Sequence, residues 1–266
     1  MSCPGDSDLL RGGGKRGERS EAPGLRGVVR PRGRTRAEPR VIGRAASPAG
    51  LAPVAPDPVF PDPVFPDHHV WPVTLEFEDV VLAPFRRRDI PEWSRLRQAN
   101  RAWLDPWEAT PPNGVVVSDP RGFVAHNWRE AKAGRTLPWL LRDGRQAARP
   151  LIGSCQVSGV VYGSAQLASI GYWIGQAWAG RGIMPVAVAL AADYCFRVLG
   201  LHRVEICIRP ENGPSLKVVE KLGFRDEGIR PRYLHIAGAW CDHRCFALDV
   251  SEVGPGLVER VRGTRR

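Results

Sequence analysis

The stretch from Gly175 to Pro185, GQAWAGRGIMP, sets Gly180 and Gly182 on either side of Arg181, between two apolar runs. Backbone without side chains at the entrance to a helix offers bare N–H groups together with the positive end of the helix dipole, a combination that suits a pyrophosphate. A nucleotide-hydrolysing phosphate loop would end in Gly-Lys-Ser or Gly-Lys-Thr, which this chain lacks. A dinucleotide-binding turn would place a third glycine three residues beyond Gly182, where Pro185 stands. A tight turn accounts for an isolated glycine pair equally well, so the elements around the loop decide its meaning.

Those elements are well punctuated. QLASIGYWIG reads as a strand leading into the loop, and IMPVAVALAADYCFRVLG as an apolar helix stopped by Gly200, with Ala187, Ala189, Ala191 and Ala192 small enough for close packing. HRVEICIRP follows as a strand, GPSLKVVEKLG as a short amphipathic helix ending at Gly223, and YLHIAGAWCDHRCFALDV as a hairpin turning at Ala237-Gly238. Upstream, VTLEFEDVVL reads as a strand or a tight strand pair around Glu78-Asp79. Asp89 and Pro91 can open a helix through Leu96, and Ser118 a second one closed by Gly134. LPWLLRDGR and RPLIGSCQVSGVVYG make a hairpin. The order predicts an α/β (α+β) domain, a mixed sheet with helices packed on it.

The chain has 266 residues, a net charge of +10 and 43% apolar residues, enough for a substantial core. Residues 1–50 hold eleven basic residues against five acids and no aromatic residue, so six of the ten net charges fall there. Such a segment cannot bury enough apolar surface to offset its ordering entropy. PDPVFPDPVFPD at residues 56–67 favours an extended spacer. The expected organisation is a disordered tail and linker over 1–70, either a solvated arm or an upstream stretch from a start site placed too early, then a folded domain over 71–252 and a frayed basic end over 253–266. The tail could hold RNA weakly by counterion release. No apolar run is long enough to span a membrane, and the acids of the N-terminus argue against a secretory signal. The six cysteines, at 3, 155, 195, 207, 241 and 245, lack a paired-ligand spacing, so thiols in a reduced, cytoplasmic protein are expected rather than a metal site.

IGYWIGQAWAGRGIMPVAVAL, LHRVEICIRPENGPSLKVVEKLGF and YLHIAGAWCDHRCFAL, taken in order, resemble the GNAT superfamily of N-acetyltransferases. With NRAWLDPWE upstream, the chain is similar to the RimJ/RimL branch, bacterial enzymes that acetylate the N-terminal amine of ribosomal proteins. The resemblance covers roughly residues 73–250. It implies a mainly antiparallel sheet in which one splayed parallel strand pair holds acetyl-CoA. Trp173, Ile174 and Gly175 would bond the pantetheine arm, and Gly180, Arg181, Gly182 and Ile183 would give amides to the pyrophosphate. The family's loop carries Gln or Arg where this chain has Ala177, which removes one side-chain contact.

Acetyl transfer to an amine needs a neutral nucleophile, a polarised thioester carbonyl and a proton for the departing thiolate. By the resemblance, Ser215 in ENGPS stands beside the thiol and is the candidate acid; capping its helix is the alternative. Asn212 meets the cofactor arm or makes a turn. Tyr233 is a second hydroxyl donor, and Glu108 attracts or deprotonates the incoming amine. Trp103 and Trp107 wall the acceptor groove or serve the core. The expected acceptor is a protein N-terminus, with a ribosomal protein as the class the resemblance implies. A small amine such as an aminoglycoside or polyamine is the alternative, and a nucleic-acid-binding protein working through its basic tail is a third reading. Oligomeric state is not legible in the sequence.

Overall fold

The computed structural model describes residues 71–113 and 119–262. The expected tail and linker, Ser118 and residues 263–266 lie outside them. Eight strands form one sheet in the order β1-β2-β3-β4-β5-β6-β8-β7: β1 (Leu75–Phe77), β2 (Val80–Pro84), β3 (Leu137–Asp143), β4 (Leu151–Val161), β5 (Leu167–Ile174), β6 (Arg203–Ile208), β7 (Arg225–Ile236) and β8 (Ala239–Asp249). Every neighbouring pair is antiparallel except β5 with β6, which pair in parallel only from Leu167–Ser169 to Arg203–Glu205 and then part. The mixed sheet read from the sequence is therefore the observed one, with Glu78 at positive φ turning β1 into β2.

Helix α4 (Ile183–Arg197) lies across one face. Its alanines and valines are almost wholly buried against β1, β2, β4 and β5, and this small-residue surface lets helix and sheet approach closely. Helix α5 (Gly213–Leu222) packs beside it, with Gly223 at φ 72° closing the helix as expected. On the other face α1 (Ile90–Ala99), α2 (Arg101–Leu104) and α3 (Pro120–Lys132) cover the β2–β4 half, where Phe85, Val124, Leu140 and Leu151 form a second core with Trp93 and Phe123.

Three readings of the elements need correction. Asp89 precedes α1, but its carboxylate accepts from the Arg86 N–H and pairs with Arg142 at 2.9 Å, so it braces α1 to β3 rather than capping the helix. The cap of α3 is Asp119, whose two oxygens accept from Arg121 and Gly122 N–H. The C-terminal stretch from Gly254 is not frayed over its described part: Leu257–Arg262 form helix α6, Leu257 and Val261 are buried, and Arg260 donates to the carbonyls of Leu222 and Glu252. Two aliphatic side chains at helical spacing suffice to dock a short helix whose basic residues remain at its rim.

Candidate active site

The parting of β5 and β6 opens a cavity of about 580 Å³. One end is the glycine loop. Gly180 and Gly182 both adopt left-handed backbone, at φ 76° and 72°, and Gly182 is the N-cap of α4. The amides of Gly182, Ile183 and Met184 precede the first N–H that donates within the helix and so remain as donors, while Pro185 occupies the next position, where an N–H would have no partner. Lys217 and Lys221, one turn apart on α5, line the same cavity and bring two ammonium groups to it.

The other end is closed by a strap running from Trp103 to Thr110. The Trp103 indole donates to the Ile174 carbonyl at 3.0 Å. Arg209, the first residue after β6, donates to the Pro106 carbonyl at 2.9 Å and lies 5.7 Å over the Trp107 ring. Thr110 donates its N–H to His235 on β7 at 2.8 Å, and Ala109 bridges to Ile236. The strap thus ties the tips of β5, β6 and β7 together, and Trp103, Leu104 and Trp107 line the cavity beneath it.

Strand alternation decides which amides of β5 face the gap. Gly175 donates its N–H to the Ile152 carbonyl on β4, and its own carbonyl accepts from Trp178, so both of its polar groups are spent within the fold. A Cβ there would lie 3.0 Å from the Trp178 ring, which is why the position is glycine. The expected cofactor bond at Gly175 is withdrawn on those grounds. By the same register the N–H of Trp173 points to β4 although the residue lines the cavity, whereas the N–H groups of Tyr172 and Ile174 point into the gap. Since the indole of Trp103 occupies the Ile174 carbonyl, the Ile174 N–H is the donor this strand end presents.

The side chains expected to act divide clearly. Ser215 lines the cavity; its N–H donates to Asn212 Oδ1 at 3.2 Å, and its carbonyl accepts from the Tyr172 hydroxyl at 3.3 Å. Asn212 caps α5 with that oxygen and also lines the cavity, so the turn role and the wall role coexist. Tyr172, which the sequence reading passed over, is held at the cavity wall with its phenol pushed up by burial, and stays a neutral donor. Tyr233 stands on the far face of β7 against Arg230 and His243, away from the cavity lining, and is removed as a donor. Glu108 is ion-paired to Arg97, whose guanidinium lies 4.9 Å over Trp93 and 5.6 Å over Trp173. The carboxylate is already engaged and braces strap to α1. Arg181 is exposed and outside the lining, as is Ala177, so the departure from the family pattern falls at a solvent-facing position. Trp178 and the two lysines line the cavity unforeseen. A signal for the lysines was available in their one-turn spacing on a helix following the second strand. Among the described residues no three His, Cys, Asp or Glu gather as metal ligands would, and no helix is long and apolar enough to cross a membrane.

A sheet parted between two parallel strands, with a glycine loop opening a helix at the gap, defines an acetyltransferase of GNAT type. The family model described as the acetyltransferase (GNAT) domain matches residues 79–225, and the chain belongs to that family. Within it the chain falls in the RimJ/RimL-like branch. It is 31% identical over 192 residues to the [ribosomal protein uS5]-alanine N-acetyltransferase of Escherichia coli K12, a match covering 69% of this chain and 94% of that protein. The structure is similar to that of Mycobacterium smegmatis RimJ in complex with CoA-disulfide, with a TM-score of 0.68 and 34% identity over 74% of this chain and 96% of the other. The probable N-acetyltransferase YjcK of Bacillus subtilis is 43% identical over 98 residues, a match that spans 37% of this chain and only 54% of the relative.

Proposed function

We propose that this acetyltransferase moves the acetyl group of acetyl-CoA onto the α-amine of a protein N-terminus, with a ribosomal protein as acceptor. The observation that carries the reading is the cavity between the parted strands, with uncommitted helix-start amides and two lysines at one end and an aromatic strap over the other. This fits a long polyanionic donor entering from one side and a chain end from the other. Of the relatives named for an acceptor, the [ribosomal protein uS5]-alanine N-acetyltransferase is matched over 94% of its length and an L-amino acid N-acetyltransferase over 48% of its own, which directs the choice within amines.

In this reading the amides of Gly182 to Met184 and the α4 dipole receive the pyrophosphate, with Lys217 and Lys221 adding charge. The pantetheine lies along the open edge of β5, and the Ile174 N–H donates to the thioester oxygen, where negative charge grows in the transition state. An α-amine titrates near 7.7–8.0, so freeing its lone pair at neutral pH costs about 1 kcal/mol and a water chain suffices as base. The amine nitrogen attacks the carbonyl carbon, the attached nitrogen gives its extra proton to the water chain, the carbon–sulfur bond breaks, and the Ser215 hydroxyl gives its proton to the sulfur and takes one back from that water chain. Direct attack in a ternary complex is the route of this reading, with no cysteine among the described residues lining the cavity as a thiol nucleophile. A small polycationic acceptor is less well served, because the acid on the strap is already paired with Arg97.

Thiol release from acetyl-CoA in the presence of peptides with N-terminal Ala or Ser tests the proposal. Turnover of such peptides with retention of acetyl at the N-terminus is expected. Binding of acetyl-CoA without turnover of any peptide, alongside turnover of a small amine, would overturn it.

A further inference from the structure

We propose that Cys207 and Cys245 form an oxidation site, at which a hydroperoxide links them into a cross-strand disulfide that fixes the free tip of β6. The two residues lie directly opposite each other in the antiparallel β6–β8 pair, with Sγ atoms 2.7 Å apart. Their register suits the bond. Val250 donates to the His202 carbonyl, which makes that pair a hydrogen-bonded one and, by alternation at constant register, makes Cys207 with Cys245 a non-hydrogen-bonded one. Such pairs hold Cα atoms about 4.5 Å apart, inside the roughly 4.4–6.8 Å that disulfides occupy.

The surroundings make Cys207 the point of attack, since Cys245 is itself buried at 4% exposure and is reached through Cys207. Val204, Ile206 and Ile208 turn toward the core beneath α4 and α5, so Cys207 lies on the opposite face and is half-exposed, within reach of a molecule as small as hydrogen peroxide. Cys155 and Cys195 are enclosed in the core. Arg230 brings a guanidinium nitrogen to 3.7 Å from the Cys207 sulfur and bonds Glu205, which also pairs with Arg203, while Tyr233 on β7 and His243 on β8 pack against each other beside Arg230. Burial nevertheless pushes the Cys207 thiol up to about 12, so the reaction at neutral pH is slow and records sustained oxidation.

The step balances without a further reactant. The Cys207 thiolate attacks one peroxide oxygen, a sulfur–oxygen bond forms, the oxygen–oxygen bond breaks, and the departing hydroxide takes up the thiol proton as water. Cys245 then attacks the sulfenic sulfur, the sulfur–sulfur bond forms, and the sulfur–oxygen bond breaks with loss of a second water. Two thiols lose two electrons and the peroxide gains them. Position gives the bond its consequence. Pairing of β5 with β6 ends at Ser169 and Glu205, so β8 alone holds the next residues of β6, which lead to Arg209 on the strap and to the Asn212 cap.

Full-length reduced protein treated with hydrogen peroxide, then unfolded in iodoacetamide and digested without reductant, tests the site. The expected product is a peptide pair joined through residues 207 and 245, lighter by two hydrogens than the reduced peptides together, abolished by dithiothreitol and absent from Cys207→Ser. The oxidised protein should melt several degrees above the reduced form, since the bond closes a loop in the unfolded chain. Sulfinic acid at Cys207 with Cys245 alkylated, a bond through Cys241 instead, or an oxidised form melting no higher than the reduced one would overturn the proposal. The wild-type peptide map decides even if the serine variant fails to fold.

Discussion

Ser215 shows how one residue serves two ends. Its backbone completes the start of α5, donating to Asn212 and accepting from Tyr172, while its hydroxyl is left toward the cavity. Ser215→Ala therefore leaves the backbone bonds in place and removes only the proton donor. It should lower kcat by about tenfold or more, at the modest end of general acid effects because a thiolate is a good leaving group. Acetyl-CoA affinity should stay within about twofold. Steady-state thiol release together with calorimetric titration of acetyl-CoA separates the two effects, and an unchanged kcat would make Ser215 only a cap and a wall. Ser215, Asn212, Trp103, Trp107 and the glycine pair were legible because each stands in a local pattern that its own neighbours specify. Tyr172 was not, since a tyrosine in an apolar strand reads as core until the strand beside it parts.

At the scale of elements, the strap is the feature on which acceptor binding depends. Three tips are joined by few bonds, and Arg209 supplies two of the links, to the Pro106 carbonyl and the Trp107 ring. Arg209→Met keeps much of the apolar stem and removes both the donor and the cation. The expected result is a several-fold rise in KM for the peptide with acetyl-CoA binding near wild type, measured by varying each substrate in turn; equal weakening of both would place Arg209 in general folding. The helices and most strands could be read from periodicity and caps. The edge strand β7 could not over its first eight residues: RDEGIRPR has no apolar alternation and Ile229 as its one β-former, and it extends because β8 offers it a partner along the sheet.

Across the whole molecule, two regions govern stability apart from the site. The docking of α6 buries Leu257 and Val261 against α4 and α5. Ending the chain at Val253 should cost about 3–6 kcal/mol, from two aliphatic side chains at roughly 1.5–3 kcal/mol each, as read by urea denaturation. On the sheet's open face, Arg203 beside Glu227 holds that carboxyl down to about 2, with Arg225 assisting. A carboxyl lowered on folding contributes stability above its ordinary value of 4.5 and loses that contribution as pH falls toward 2. Melting curves between pH 6 and pH 2 should show Glu227→Gln less stable than wild type at the upper end, with the difference shrinking through that window. A constant difference would sink the linkage.

The sequence by itself determined the mixed α/β sheet and the glycine loop at a helix start, because these rest on residues close together in the chain whose spacing follows from helix and strand geometry, and its motifs carried the resemblance to the acetyltransferase family. Only the tertiary structure decided that Gly175 spends its amide on Ile152, that Glu108 is held by Arg97, that Tyr233 faces away while Tyr172 faces in, and that the last helix is docked. Each of those depends on which element packs beside it, and local spacing does not encode a partner on another element.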